Sequence, residues 1–130
     1  MILVTGGAFQ GKKNFVTKRF GLQETDILNG EHCDFEVVFS SKCVADYHLL
    51  VKRLMEEKID PLEFTEKLCE RNPEIIVILN EIGCGIIPIE KSDRIWREQT
   101  GRAGCIIAQN SSAVVRICCS IPTLIKGELQ

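Results

Sequence analysis

The 130-residue sequence has no apolar run of the roughly 18–20 residues that a membrane-spanning helix needs. It has no excess of one charge either: 16 Lys and Arg stand against 18 Asp and Glu, a net charge of −2. That balance excludes the electrostatic footprint of a protein that binds nucleic acid or an anionic membrane. It leaves room for a local basic pocket around a single phosphate group. The opening residues, Met1-Ile2-Leu3-Val4-Thr5-Gly6, lack a basic segment and a small-residue cleavage site, so no signal peptide is expected. Repeats, low-complexity tracts and linkers are absent, and the length suits one domain over residues 1–130. Cysteine is plentiful, with seven at 33, 43, 69, 84, 105, 118 and 119, but no two stand in a C-x-x-C spacing, which argues against a zinc site. The expectation is that they serve as small buried apolar residues in a reducing cytoplasm.

What is present is an alternation of apolar runs and helical stripes. Ile2-Leu3-Val4 ends in Thr5-Gly6-Gly7 and reads as a buried strand feeding a tight turn. Residues 12–20 read as a helix with Phe15, Val16 and Phe20 on one face and Gly21 as its stop. Residues 23–34 have no clear period and read as loop, and residues 35–39 read as a second strand followed by a turn and cap at Ser40-Ser41. The stretch from Cys43 to Lys58 carries Val44, Tyr47, Val51, Leu54 and Met55 at helical steps. Asp60-Pro61 opens another helix, with a cap residue before a proline. Ile75-Ile76-Val77-Ile78-Leu79 has the unbroken apolar character of a central parallel strand. Helices are expected at about 92–99 and 102–110, and a last strand at 113–119. The pattern predicts an α/β fold with a mainly parallel sheet and helices on both faces. Ligands of such sheets bind beyond the carboxyl ends of the strands, where both Gly-rich loops fall, at residues 6–11 and 80–88.

Gly6-Gly7-Ala8-Phe9-Gln10-Gly11-Lys12-Lys13 fits G-x-x-x-x-G-K and lacks the final Ser or Thr. Glycines let successive amides turn inward as a nest for phosphate oxygens, and the following helix points its positive end at the same anion. Lys12 is then the candidate cation for the outer phosphates of GTP or ATP. Lys13 stands where a hydroxyl usually ligates Mg²⁺, and an ammonium cannot do so, which puts Mg²⁺ dependence in doubt. This motif between a strand and a helix predicts a P-loop NTPase-like three-layer domain. The other reading is an ordinary Gly-rich turn with a solvated Lys12.

After the central strand, Asn80-Glu81-Ile82-Gly83-Cys84-Gly85 sets one carboxylate among glycines. Glu81 is a candidate catalytic group near a transferring phosphate, or a residue bonded to loop amides. Arg94, Arg97 and Arg102 lie within two turns of one another and read better as partners of Glu90, Asp93 and Glu98 on a solvated face than as a phosphate clamp.

These segments resemble a known family. Residues 2–8 followed by Gly11-Lys12, and Asn80-Glu81-Ile82-Gly83-x-Gly85-Ile86-x-Pro88 with Arg94, Trp96-Arg97, Gly101-Arg102, Ala108, Val114 and Ile121-Pro122…Lys126, are similar to the bifunctional adenosylcobinamide kinase / adenosylcobinamide-phosphate guanylyltransferase family of cobalamin biosynthesis. The resemblance implies a cytoplasmic homo-oligomer, a trimer, that phosphorylates adenosylcobinamide with a nucleoside triphosphate and then transfers GMP through a guanylylated histidine. It assigns the phosphate loop to Gly6, Gly7, Gly11 and Lys12, and the second loop to Asn80, Glu81, Gly83 and Gly85. The family is longer, and the missing part carries the guanylylated histidine. Neither His32 nor His48 matches that segment, and His48 reads as a partly buried helix residue. The family strand that matches residues 35–39 is usually followed by an acidic residue, and Ser40 stands there. The family's G-R-L-N-Q reads Gly101-Arg102-Ala103-Gly104-Cys105 here. Two functions follow: phosphoryl or guanylyl transfer to cobinamide, or a nucleotide-binding or regulatory module that has lost transfer. A third is another small P-loop kinase with local similarity.

Overall fold

The computed structural model describes residues 1–82 and 90–129. Five parallel strands and one antiparallel strand form a single sheet, in the order β2-β3-β4-β1-β5-β6. The strands are β1 (Ile2–Gly6), β2 (Ile27–Asn29), β3 (Cys43–Ala45), β4 (Ile76–Asn80), β5 (Ala113–Cys118) and β6 (Ile121–Gly127). The helices are α1 (Lys12–Phe20), α2 (Phe35–Val38), α3 (Tyr47–Glu56), α4 (Pro61–Arg71) and α5 (Lys91–Asn110).

Strand alternation builds two apolar layers. Leu3, Val44, Val77, Leu79 and Val114 face one side, against Tyr47, Leu50, Leu54, Leu68 and Ile107 of α3, α4 and α5. Val4, Ile76, Ile78, Val115 and Ile117 face the other, against Val16, Phe15 and Phe20 of α1. The result is the P-loop NTPase-like α/β arrangement, with helices on both faces. Asp60 caps α4 by accepting from the Leu62 and Glu63 amides, as its position before Pro61 predicts.

Several boundaries differ from the sequence reading. Residues 35–39 form no strand; α2 occupies them. The helical period decides it: Phe35, Val38 and Phe39 pack on the core at i, i+3 and i+4, while Val37 points out. The strand role falls to Cys43–Ala45, fully buried and paired with both β2 and β4. The helix expected from Cys43 therefore starts at Tyr47. In residues 23–34, β2 is a three-residue strand paired on one side to β3, too short to show alternation. The two helices expected over residues 92–110 are one, since packing of α5 against α3 and α4 overrides the roughly 1 kcal/mol that each of Gly101 and Gly104 costs a helix. Strand β6 extends the sheet past the expected last strand, through a turn in which Cys119 and Ser120 both have positive φ (50° and 64°). Two-residue hairpin turns of this kind ordinarily announce themselves by Asn or Gly, which are missing here.

The cysteines divide. Cys43 is buried as expected and Cys33 and Cys69 are half-buried, but Cys105, Cys118 and Cys119 are exposed, so a uniform role as core residues is wrong. All six described cysteines are free thiols, and Cys84 lies outside the described residues.

Candidate phosphate-binding site

The loop of residues 6–11 joins β1 to α1 at the carboxyl end of the sheet. Gly6 is pressed so close to β5 that a Cβ there would lie 2.4 Å from the Ile117 carbonyl oxygen. Gly11 caps α1 with φ +92°, a conformation that costs glycine little. The first amides of α1 have no acceptor within the helix, and with the helix dipole they polarise the loop's hollow positively.

Lys12, the first residue of α1, is only 6% exposed. Its ammonium donates to the Gly7 carbonyl inside the loop. Burial lowers its pKa from the ordinary 10.5, and the charges of Asp46 and Glu81 draw it back up. Phe9 stands at the apex of the loop, fully exposed, with φ 59°. Gln10 ties the loop to the β5–β6 turn: its side-chain oxygen accepts from the Cys119 amide, and its backbone oxygen accepts from the Ser120 amide at 2.9 Å. Lys13 is exposed. Its charge acts on Cys43, whose thiol burial nonetheless pushes to about 12.

A cavity of about 570 Å³ opens beside the loop, from Ala8 through Asn14 on one wall to Asp46, His48, Leu49, Ile78 and Asn80 on the other. Asp46 sits between β3 and α3 with φ 53° and makes no side-chain cap to α3. Its carboxylate instead acts on Lys12 and His48. Ser40 therefore follows a helix and not a strand, and the acidic residue that directly follows a strand in this part of the chain is Asp46, after β3. The misplaced strand concealed both Asp46 and His48, which the sequence reading left without a role in the site.

Asn80, the last residue of β4, is in register with Gly6. Glu81 follows, and its amide donates to the Gly6 oxygen at 2.9 Å. Its carboxylate accepts from Arg116 Nε at 2.9 Å and from a terminal guanidinium nitrogen at 3.1 Å. Both oxygens of the expected catalytic carboxylate are thus engaged by an arginine that sequence spacing could not pair with it. Asn80 and Glu81 also border a cleft of about 340 Å³ under α5, lined by Thr5, Leu79, Arg97 and Thr100. Arg102 pairs with Glu98 at 2.8 Å along the helix, as its spacing predicts. His32 lies on the surface beside Glu31. Gly83 and Gly85 lie outside the described residues.

Lys13 brings an ammonium in place of the hydroxyl that usually ligates Mg²⁺, and Arg116 holds both Glu81 oxygens.

The profile of the cobinamide kinase / cobinamide phosphate guanyltransferase family matches residues 38–125, more than half of the chain. The chain belongs to this family. Membership supports a role in cobalamin biosynthesis with a nucleotide substrate. The match runs from α2 through most of β6 and takes in Asp46, His48, Asn80, Glu81 and Arg116. The phosphate loop precedes the matched residues, so its assignment rests on its own motif and geometry. No curated protein matches the chain. No helix among the described residues is long and apolar enough to cross a membrane.

Proposed function

We propose that the chain is one phosphate-loop domain that binds GTP or ATP and transfers a phosphoryl or guanylyl group to a cobinamide. The observation that carries this reading is Lys12: a buried ammonium at the start of a helix, facing the hollow of a glycine-bounded loop, in a member of a nucleotide-using family. Residues 6–13 are the phosphate contacts, with Lys12 supplying charge to the outer phosphates. Glu81 and Asn80 stand at the strand end where an acceptor would approach, and family resemblance adds Gly83 and Gly85 to that loop.

A second reading is a nucleotide-binding or regulatory module without transfer. It is favoured by Lys13 in place of the hydroxyl and by the engagement of both Glu81 oxygens. γ-Labelled nucleotide with adenosylcobinamide, and α-labelled GTP alone, separate the two. Label on the cobinamide supports the enzyme, while saturable binding with neither label supports the module. No triphosphate binding at all overturns both. Homo-oligomerisation in a cytoplasmic setting completes the reading: β6 is a sheet edge that exposes Ile121, Leu124 and Ile125, apolar residues that suit burial against another copy.

A further inference from the structure

We propose that His48 is a direct ligand of the bound polyphosphate, and that nucleotide binding is coupled to uptake of a proton on its imidazole. The inference rests on the reading that a triphosphate occupies the phosphate-loop cavity, and it adds a residue that neither motif nor resemblance assigns.

His48 is the second residue of α3 and is 7% exposed. Its Nδ1 is buried and finds no hydrogen-bond partner among the described residues. A buried polar atom without a partner is uncommon and calls for one. His48 lines the same cavity as Lys12, Asp46 and Asn80, and its ring is within electrostatic reach of the first two. The groups around it come from several elements. Asp46 before α3 and Glu31 after β2 favour the imidazolium, Lys12 of α1 opposes it, and burial outweighs them, holding the pKa below the ordinary 6.5. From α5, the Trp96 ring lies 6.2 Å away at 31°, and its indole N–H donates to the His48 carbonyl at 2.7 Å. Lys52 of α3 sits 5.2 Å from that indole ring.

Burial thus favours the neutral imidazole in the free cavity. A polyphosphate reverses the balance, since it brings several negative charges and oxygen acceptors into the space that His48 borders. The imidazole takes a proton from solvent, and the new N–H donates to a phosphate oxygen. The only bond formed is the N–H of the protonated ring, and the cavity gains a further cation beside Lys12 and Lys13.

The test is isothermal titration calorimetry of GTP, and separately of inorganic triphosphate, in buffers of different ionisation heat. Wild type is compared with His48→Gln, so that the ligand's own proton exchange cancels. The expected result is a proton uptake in wild type that the variant lacks. The variant should bind about tenfold more weakly near pH 6.5 and equally near pH 8.5. Equal proton uptake in both proteins overturns the inference while leaving the phosphate site intact. Absence of binding by wild type overturns the site and the inference together. Trp96 is the only tryptophan, and its fluorescence, quenched by an adjacent imidazolium, reports His48 without any substitution. Its pH midpoint should rise on adding nucleotide, and an unmoved midpoint with ligand bound defeats the proposal.

Discussion

Arg116 on β5 reaches across the end of β1 and holds both carboxylate oxygens of Glu81, at 2.9 and 3.1 Å. The pair brackets the first glycine of the phosphate loop, because the Glu81 amide also donates to the Gly6 oxygen. With Arg116 52% and Glu81 24% exposed, water screens the attraction. Glu81→Gln should cost about 1 kcal/mol or less, read from the urea midpoint. Its clearer effect should be on Lys12, whose ammonium loses a supporting negative charge. Triphosphate binding in Glu81→Gln should fail at a lower pH than in wild type.

Lys12 itself gives a prediction with a definite sign. Burial depresses its folded-state pKa below the unfolded value of 10.5. The folded protein therefore sheds this proton first, and stability rises as pH climbs through the folded pKa towards 10.5. Binding of a polyanion does the opposite over the same window, because the cation is lost. Lys12→Met should remove both trends: no alkaline gain in stability, and triphosphate affinity at least about tenfold weaker at neutral pH. Denaturation and calorimetry across the alkaline range check the two together.

The contrast between Lys12 and Asp46 marks where the sequence could be read and where it could not. Lys12 was legible because the chain writes its surroundings locally: a strand, five loop residues and a helix in direct succession. β4 and α4 were legible for the same reason, one by an unbroken aliphatic run and the other by its Asp-Pro start. Asp46 was not, because β3 is three residues long and its pairing with β2 and β4 is non-local. The apolar run at 35–39 advertised a strand more loudly while packing with a helical period. Glu81 and Arg116 are 35 residues apart in the chain, and only the sheet order makes them neighbours. The hairpin that meets the loop at Gln10 was hidden because Cys119 and Ser120 adopt backbone angles their types rarely favour.

The buried pair Tyr47 and Thr65 couples α3 to α4 and predicts an unequal response to two substitutions. Thr65 Oγ1 donates to the Pro61 carbonyl at 2.6 Å, so the Tyr47 hydroxyl, 2.8 Å away, is the donor between the two. Tyr47→Phe leaves Thr65 still bonded and should cost about 1 kcal/mol. Thr65→Val keeps the shape but strands a fully buried phenol and should cost more, about 2–3 kcal/mol. Chemical denaturation of the two variants checks the order; equal losses refute the assignment of the donor.

The contact between Gly11 and Ser120 makes the hairpin turn part of the phosphate loop's support. A Cβ on Gly11 would lie 2.8 Å from Ser120 Oγ, and the φ of +92° would strain any side chain there. Gly11→Ala should therefore destabilise by about 1–3 kcal/mol. Adding Ser120→Ala should recover only part of that, since it removes the Oγ collision and leaves the backbone strain at Gly11. Full recovery would mean that the collision alone matters. Gln10→Ala tests the same junction from the other side. It removes the side-chain acceptor of the Cys119 amide while keeping the backbone acceptor of the Ser120 amide. Hydrogen exchange should quicken at Cys119 well before Ser120, and triphosphate affinity should fall with it, because the loop's amides lose one of the two bonds that fix Gln10 to the turn.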